Sequence, residues 1–176
     1  MLSSFFKRLL MGRQLEFTEG DIEILDTKFT MHSLSHYFNW RETVKGRHDG
    51  EGLKEMYDIG KMTGKEMAKS YKDKFKIGGG ESANFWKNLL ELSGLGKVQV
   101  ISPQEGGKVL IQIESAFARH YTSKKGKGEE NVDEYLVGML TGVFEEMYER
   151  ELVGKETKCT AIGQPYCEII IKPLEG

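Results

Sequence analysis

Cysteine, proline and excess charge are all scarce in this chain, and each scarcity excludes something. Two cysteines in 176 residues are too few for a secreted disulfide scaffold, so a reducing, cytoplasmic setting is expected. Three prolines against 21 glycines leave the turns to glycine. A net charge of −2 lacks the basic face that nucleic acid selects, so no nucleic-acid partner is expected. No apolar run approaches the roughly 20 residues of a membrane span. Nucleotide and flavin fingerprints, a defensible Ser-His-Asp order and a metalloprotease helix motif are also missing, so no catalytic residue is assigned.

What remains is an ordinary globular composition, 39% hydrophobic and 30% charged, long enough to bury a core. The first 14 residues form their own segment. Leu2, Phe5, Phe6, Leu9 and Leu10 set against Lys7 and Arg8 predict an amphipathic helix that packs on the domain or on a second subunit. A helix lying in a membrane surface is the alternative. Residues 15–176 are expected to form one domain.

Leu15 to Trp40 alternates in the manner of strands, with Thr30, His32, Leu34, His36 and Phe38 on one face. Two histidines two apart on a strand suit a metal or a pocket, although such pairs are commonly structural. Leu53–Phe75 predicts a helix with Gly60 and Gly64 four apart. Ile77–Gly80 breaks it without the Lys-Ser/Thr ending of a phosphate-binding loop. Ser82–Ser93 predicts a second helix. Val98–Ile101 and Val109–Phe117 predict a hairpin, with Arg119 and His120 closing its second strand and Ser123–Asn131 a solvated loop. Val132–Leu152 predicts the longest helix, with Gly138 and Gly142 again four apart. Strands grouped in hairpins and helices grouped between them give an α+β class with an antiparallel sheet packed against helices.

The ending carries the chemistry. Cys159 and Cys167 sit four residues either side of Gly163 in a β-branched hairpin, so a simple hairpin makes them cross-strand neighbours on one face. Two thiolates there supply half of a tetrahedral metal site. Two buried thiols behaving as small hydrophobes, or a disulfide, are the alternatives.

Met56-Tyr57-Asp58-Ile59-Gly60 with Gly64, Tyr135 with Gly138 and Gly142, and Glu156-x-x-Cys159-x-x-x-Gly163-x-x-x-Cys167 before Glu168-Ile169-Ile170-Ile171 together resemble the 4-vinyl reductase domain family. That family is related in fold to vesicle-tethering TRAPP subunits, and the ending is the specific part. The resemblance implies an apolar pocket between helices and sheet and a sensor-like role for an apolar or aromatic small molecule. It also implies zinc held by Glu156, Cys159 and Cys167. In a regular strand Glu156, three residues from Cys159, points to the opposite face; a bulge or a later strand start is needed to bring it round. The fourth ligand stays open between His120, Asp133, Glu134 and water.

Phe85, Trp86, Phe117, Tyr135, Met139 and Phe144 are the expected pocket wall. No ATPase or DNA-binding domain is present in these 176 residues, so output is expected through a homodimer or a partner protein. A scaffold role like that of the tethering subunits, and a part in tetrapyrrole vinyl reduction, are the alternatives the resemblance carries.

Overall fold

The structure is a computed structural model describing residues 11–12, 15–25, 27–47, 51–75, 81–104 and 107–174. Apart from Met11 and Gly12, the expected N-terminal helix lies outside the described residues, as does the glycine run 78–80. The chain divides between Ser33 and Leu34 into two compact units. The first holds a three-stranded antiparallel meander, β1 (Leu15–Thr18), β2 (Asp21–Ile24) and β3 (Thr27–Phe29). Leu15 faces Ile24 and Ile22 faces Phe29 across its ladders. Gly20, at φ +88°, makes the β1–β2 turn in a conformation open to glycine at no steric cost.

The strand pattern expected through Trp40 ends early, because Leu34–Lys45 is a helix, α1. Leu34, Tyr37, Phe38 and Arg41 turn inward at spacings of three and four, while His36, Asn39 and Thr43 are exposed. A charged residue in the innermost slot disguised that period, and a coincidental alternation of two suggested a strand instead. His36 therefore stands on a helix and His32 in the segment before it, so no strand face joins them.

The second unit continues with α2 (Glu51–Phe75), α3 (Glu81–Leu92), β4 (Gly96–Pro103), β5 (Val109–Ser115), α4 (Ala116–Lys125), α5 (Glu134–Tyr148), β6 (Leu152–Lys158) and β7 (Cys167–Pro173). Its four strands form an antiparallel sheet in the order β4-β5-β7-β6. Val109, Ile111 and Ile113 pair with Ile171, Ile169 and Cys167, and all six side chains are fully buried. This stripe is the sheet's half of the core, and Cys167 closes one end of it. The fold is α+β, an antiparallel sheet packed against helices, as expected. Among the described residues no helix is long and apolar enough to cross a membrane.

A second helix was also not foreseen. Phe117, Arg119 and His120 lie on α4, and the second hairpin strand stops at Ser115. The Ser115 hydroxyl accepts the Ala118 amide at 3.1 Å, capping α4 directly after the strand. A serine followed by Ala-x-Ala at the end of a β-branched run was the available signal.

The four spaced glycines explain the helix layer. A Cβ at Gly60 or Gly64 would collide with the backbone of Tyr135 or Met139 on α5. One at Gly138 or Gly142 would collide with the backbone of Tyr57 or Lys61 on α2. The two helices therefore meet backbone to backbone along both glycine pairs, a contact that no larger residue permits. Gly154 of β6 seats on the Thr141 side chain of α5, where a Cβ would collide with the hydroxyl, and its amide donates to the Tyr57 hydroxyl at 3.1 Å. At the far end Lys61 bridges to buried Glu145 at 2.7 Å. Glu145 accepts the Leu152 amide at 2.8 Å, fixing where β6 begins.

A methyl group at Gly64 or Gly138 has to push a helix away, whereas glycine-to-alanine in an open helix adds stability. Gly64→Ala and Gly138→Ala are each expected to cost about 1–3 kcal/mol or more, by overpacking. Urea melts showing either variant at wild-type stability would contradict the backbone contact.

Candidate functional site

Four buried side chains converge where β6, β7 and the start of α5 meet. Asp133, Glu156, Cys159 and Cys167 each offer a ligand atom, and these atoms all lie within 4.8 Å of one another. Cys167 comes from the first position of β7, and Cys159 follows β6 at the entrance of a 3-10 turn, Thr160–Ile162. The two cysteines are not ladder partners, since Cys167 pairs with Ile113 and Cys159 lies past the last paired residue, Lys158. Their sulfurs nevertheless stand 3.8 Å apart. Gly163, at φ +88°, closes the turn that folds one thiol back on the other.

Glu156 reaches the cluster because β6 is irregular there. It pairs with Ile169 and Lys158 pairs with Glu168, leaving Thr157 as an extra residue. A bulge of this kind re-aims the side chains beyond it, so Glu156 and Cys159 share a side that a regular strand would deny them. Asp133 stands at the N-cap position of α5 but makes no capping bond with its side chain. It turns instead into the cluster, where Ser115 donates to its Oδ1 at 2.7 Å and its own amide donates to Glu156 Oε2 at 3.3 Å. Of the open candidates for a fourth donor, Asp133 is the one brought in. Glu134 pairs with Arg41, and His120 meets Ser35 at 3.3 Å.

The cluster fits a metal on two physical grounds. Asp133 Oδ2 and Glu156 Oε1 are buried with no hydrogen-bond partner, a state expensive for carboxyl oxygens unless something positive reaches them. Zinc bonded tetrahedrally to two thiolates at about 2.3 Å holds the sulfurs about 3.8 Å apart, and that is the separation present. The cluster can thus hold a metal, with Cys159, Cys167, Glu156 and Asp133 as its donors.

Without an ion these groups disfavour one another's charge. Burial, then the neighbouring Asp133 and Cys167, pushes the Glu156 carboxyl up to about 10. Burial raises Asp133 too. Cys167 is raised by its hydrogen bond to Cys159 and by burial.

Two partly open apolar cavities among the described residues bear on ligand binding. The larger, about 40 Å³, is lined by Leu34, Tyr37, Met56, Phe117, Tyr135 and Leu136 among others, and Ser115 and Asp133 form its polar edge. The smaller, about 10 Å³, lies among Met67, Trp86, Leu89, Leu90, Met139 and Val143. Of the six residues expected to form one pocket wall, Phe117 and Tyr135 line the first cavity and Trp86 and Met139 the second. Phe85 stands edge-on to Trp86 with ring centroids 5.3 Å apart, and Phe144 is wholly buried beside Tyr148; neither lines these cavities. The Trp86 indole nitrogen is buried without an acceptor. Sequence alone marks Trp86 as bulky and apolar, and an unmet N–H becomes visible only with the fold.

The raised carboxyl has a signed consequence. Folded protein free of metal holds a proton on Glu156 that the unfolded chain releases above the ordinary carboxyl value of 4.5. Its contribution is complete below 4.5 and is lost as pH climbs towards 10, with a slope of at most about 1.4 kcal/mol per pH unit. Chelator-treated protein is therefore expected to lose stability between pH 6 and pH 9, and Glu156→Gln to flatten that loss. Urea melts with equal slopes in both proteins would rule out a protonated Glu156.

No family model matches the sequence. An uncharacterised protein of Methanocaldococcus jannaschii is 25% identical over 117 residues, 66% of this chain; the match spans 62% of the relative's own length. Among solved structures, the phenol-responsive sensory domain of the transcription activator PoxR, with phenol, superposes with a TM-score of 0.79 at 18% identity. That match covers 98% of this chain and 92% of the other. A trafficking protein particle complex subunit 3 from Naegleria fowleri, covalently bound to palmitic acid, gives 0.60 at 12% identity over 81% and 93%. A vinyl-4-reductase family protein from Methanocaldococcus jannaschii gives 0.55 at 17% identity over 84% and 85%. This chain has the 4-vinyl reductase-like fold.

Proposed function

We propose that this protein is a small-molecule-binding, sensor-like domain that takes a small aromatic or apolar molecule carrying one hydrogen-bond acceptor. Zinc at Asp133, Glu156, Cys159 and Cys167 is its structural clasp. The observation that carries the ligand reading is Trp86, an indole N–H with no acceptor in the wall of an apolar cavity. A donor left unpaired in an apolar site discriminates strongly in favour of the molecule that satisfies it. The similarity to a phenol-responsive sensory domain supports the same class of ligand.

The cavity beside Trp86 is far smaller than the roughly 150 Å³ that admits benzene in an engineered apolar cavity. Entry therefore displaces side chains, and Met67 and Met139, unbranched and adaptable, are the two that line it and can move. Sensing follows from this: a ligand that remakes the packing of α2, α3 and α5 shifts the population of whatever surface those helices present. That signal passes to a second copy of the chain or to a partner protein.

Zinc in such a site neutralises charge and fixes the ends of β6, β7 and α5 relative to one another. The chain's own residues do the holding. Ser115 orients Asp133, and the Thr160 amide, 3.4 Å from Cys167 Sγ, supports the thiolate.

Two outcomes are expected. Protein purified without chelator carries about one zinc per chain, and Cys159→Ser loses it; elemental analysis finding no metal in the wild type would end the zinc assignment. Phenol raises the melting temperature of the wild type, because a ligand of the native state alone stabilises it. Trp86→Phe binds it about 2- to 10-fold more weakly, the worth of one hydrogen bond. Equal shifts in both proteins would remove Trp86 from recognition.

A further inference from the structure

Arg41 is the most unusual buried residue outside the cluster. Its side chain has no exposure at all, and the five hydrogen bonds it makes match the number of its N–H donors. Nε donates to Glu134 Oε2 at 2.9 Å and Nη2 to Glu134 Oε1 at 2.6 Å, a bidentate pair. Nη2 also donates to the Asn131 carbonyl at 3.0 Å. Nη1 reaches Glu130 at 3.3 Å and Glu42 at 3.4 Å. The guanidinium lies over the Tyr121 ring, 5.4 Å from its centroid. Three of these partners belong to one short segment, residues 130–134, that leads into α5.

The same segment has a second set of contacts on the cluster. The Asn131 side-chain Nδ2 donates to the Glu156 carbonyl at 2.8 Å, the Asp133 backbone amide donates to Glu156 Oε2, and the Asp133 carboxylate is one of the four converging donors. Side chains of this segment thus divide between two roles. Glu130 and Glu134 hold Arg41, while Asn131 and Asp133 hold the donor cluster. Moving the segment by an ångström would break the bidentate pair and displace a metal donor together.

From this we infer that Arg41 is a positioning residue for the metal cluster. Segment 130–134 makes metal occupancy and the docking of α1 one coupled equilibrium. The inference rests on the zinc reading above. It goes further by naming what the ion controls: α1, whose Leu34 and Tyr37 wall the larger cavity together with Val132 and Asp133. The four donor atoms all lie within 4.8 Å of one another, close enough for one ion to reach them all. An ion held by all four donors would fix the Asp133 carboxylate, and with it the segment that carries Asp133. Reciprocity then requires that whatever zinc contributes to α1 docking, α1 docking contributes to zinc affinity.

The test is a zinc titration against a chromophoric chelator, with amide exchange of residues 34–45 followed with and without zinc. Wild type is expected to bind one zinc and to slow exchange across α1 when it does. Arg41→Met is expected to bind zinc about 10- to 100-fold more weakly, the usual effect of removing a group that orients a ligand, and to lose the zinc-dependent protection. Should Arg41→Met fail to fold by circular dichroism, Asn131→Ala, which deletes only the bond to β6, is expected to weaken zinc in the same direction. Lys45→Met touches the exposed edge of the network through Glu130 and is expected to leave zinc affinity unchanged. If wild type binds zinc while Arg41→Met and Asn131→Ala bind it within twofold, or α1 exchange ignores the ion, the coupling is wrong although the metal site stands. A wild type that binds no zinc overturns both.

Discussion

The close crossing of α2 and α5 is the constraint on which the rest depends. At Gly60, Gly64, Gly138 and Gly142 the backbone of one helix lies where a Cβ of the other would stand, so the two helices pack closer than any side chain at these positions would allow. Everything downstream is measured from there. The N-terminus of α5 brings Asp133 to the sheet, its C-terminal half brings Glu145 to the start of β6, and Thr141 seats Gly154. A wider crossing would shift α5 relative to β6 and separate Asp133 from the other three donors.

The donor cluster illustrates how a short irregularity sets chemistry. Thr157, the unpaired residue of β6, decides which side Glu156 occupies, and Gly163 decides that Cys159 folds back on Cys167. Neither residue offers a ligand atom. The carboxylates and thiols then sit in a low-dielectric pocket where two carboxyl oxygens lack partners. That state is costly for stability and suited to binding a cation.

Much of this was legible in the sequence and some was not, for reasons that can be named. Periodic apolar spacing gave α2, α3 and α5, and β-branched runs gave β5 and β7, because in those elements each local preference agrees with the packing. The paired cysteines with Glu156 were visible as a motif, including the need for a bulge. Asp133 could be listed only among alternatives, since 23 residues separate it from Glu156 and only the fold brings them together. α1 was misread because Arg41 occupies a slot where apolar residues normally stand, and its partners Glu130 and Glu134 lie far along the chain. α4 was missed because a strand runs into it without a loop. Four of the six residues of the expected pocket wall divide between two cavities and two line neither, which composition cannot anticipate.

Ser115 is a single small hydroxyl at the junction of β5 and α4. Its one proton goes to Asp133 and a lone pair goes to the Ala118 amide, so one oxygen serves a helix cap and a carboxylate at once. Fraying of the first turn of α4 consequently releases the carboxylate, and release of the carboxylate weakens the cap. The two events form one unit of local unfolding. On the timescale of amide exchange, the end of β5, the beginning of α4 and the aspartate open together or remain closed together.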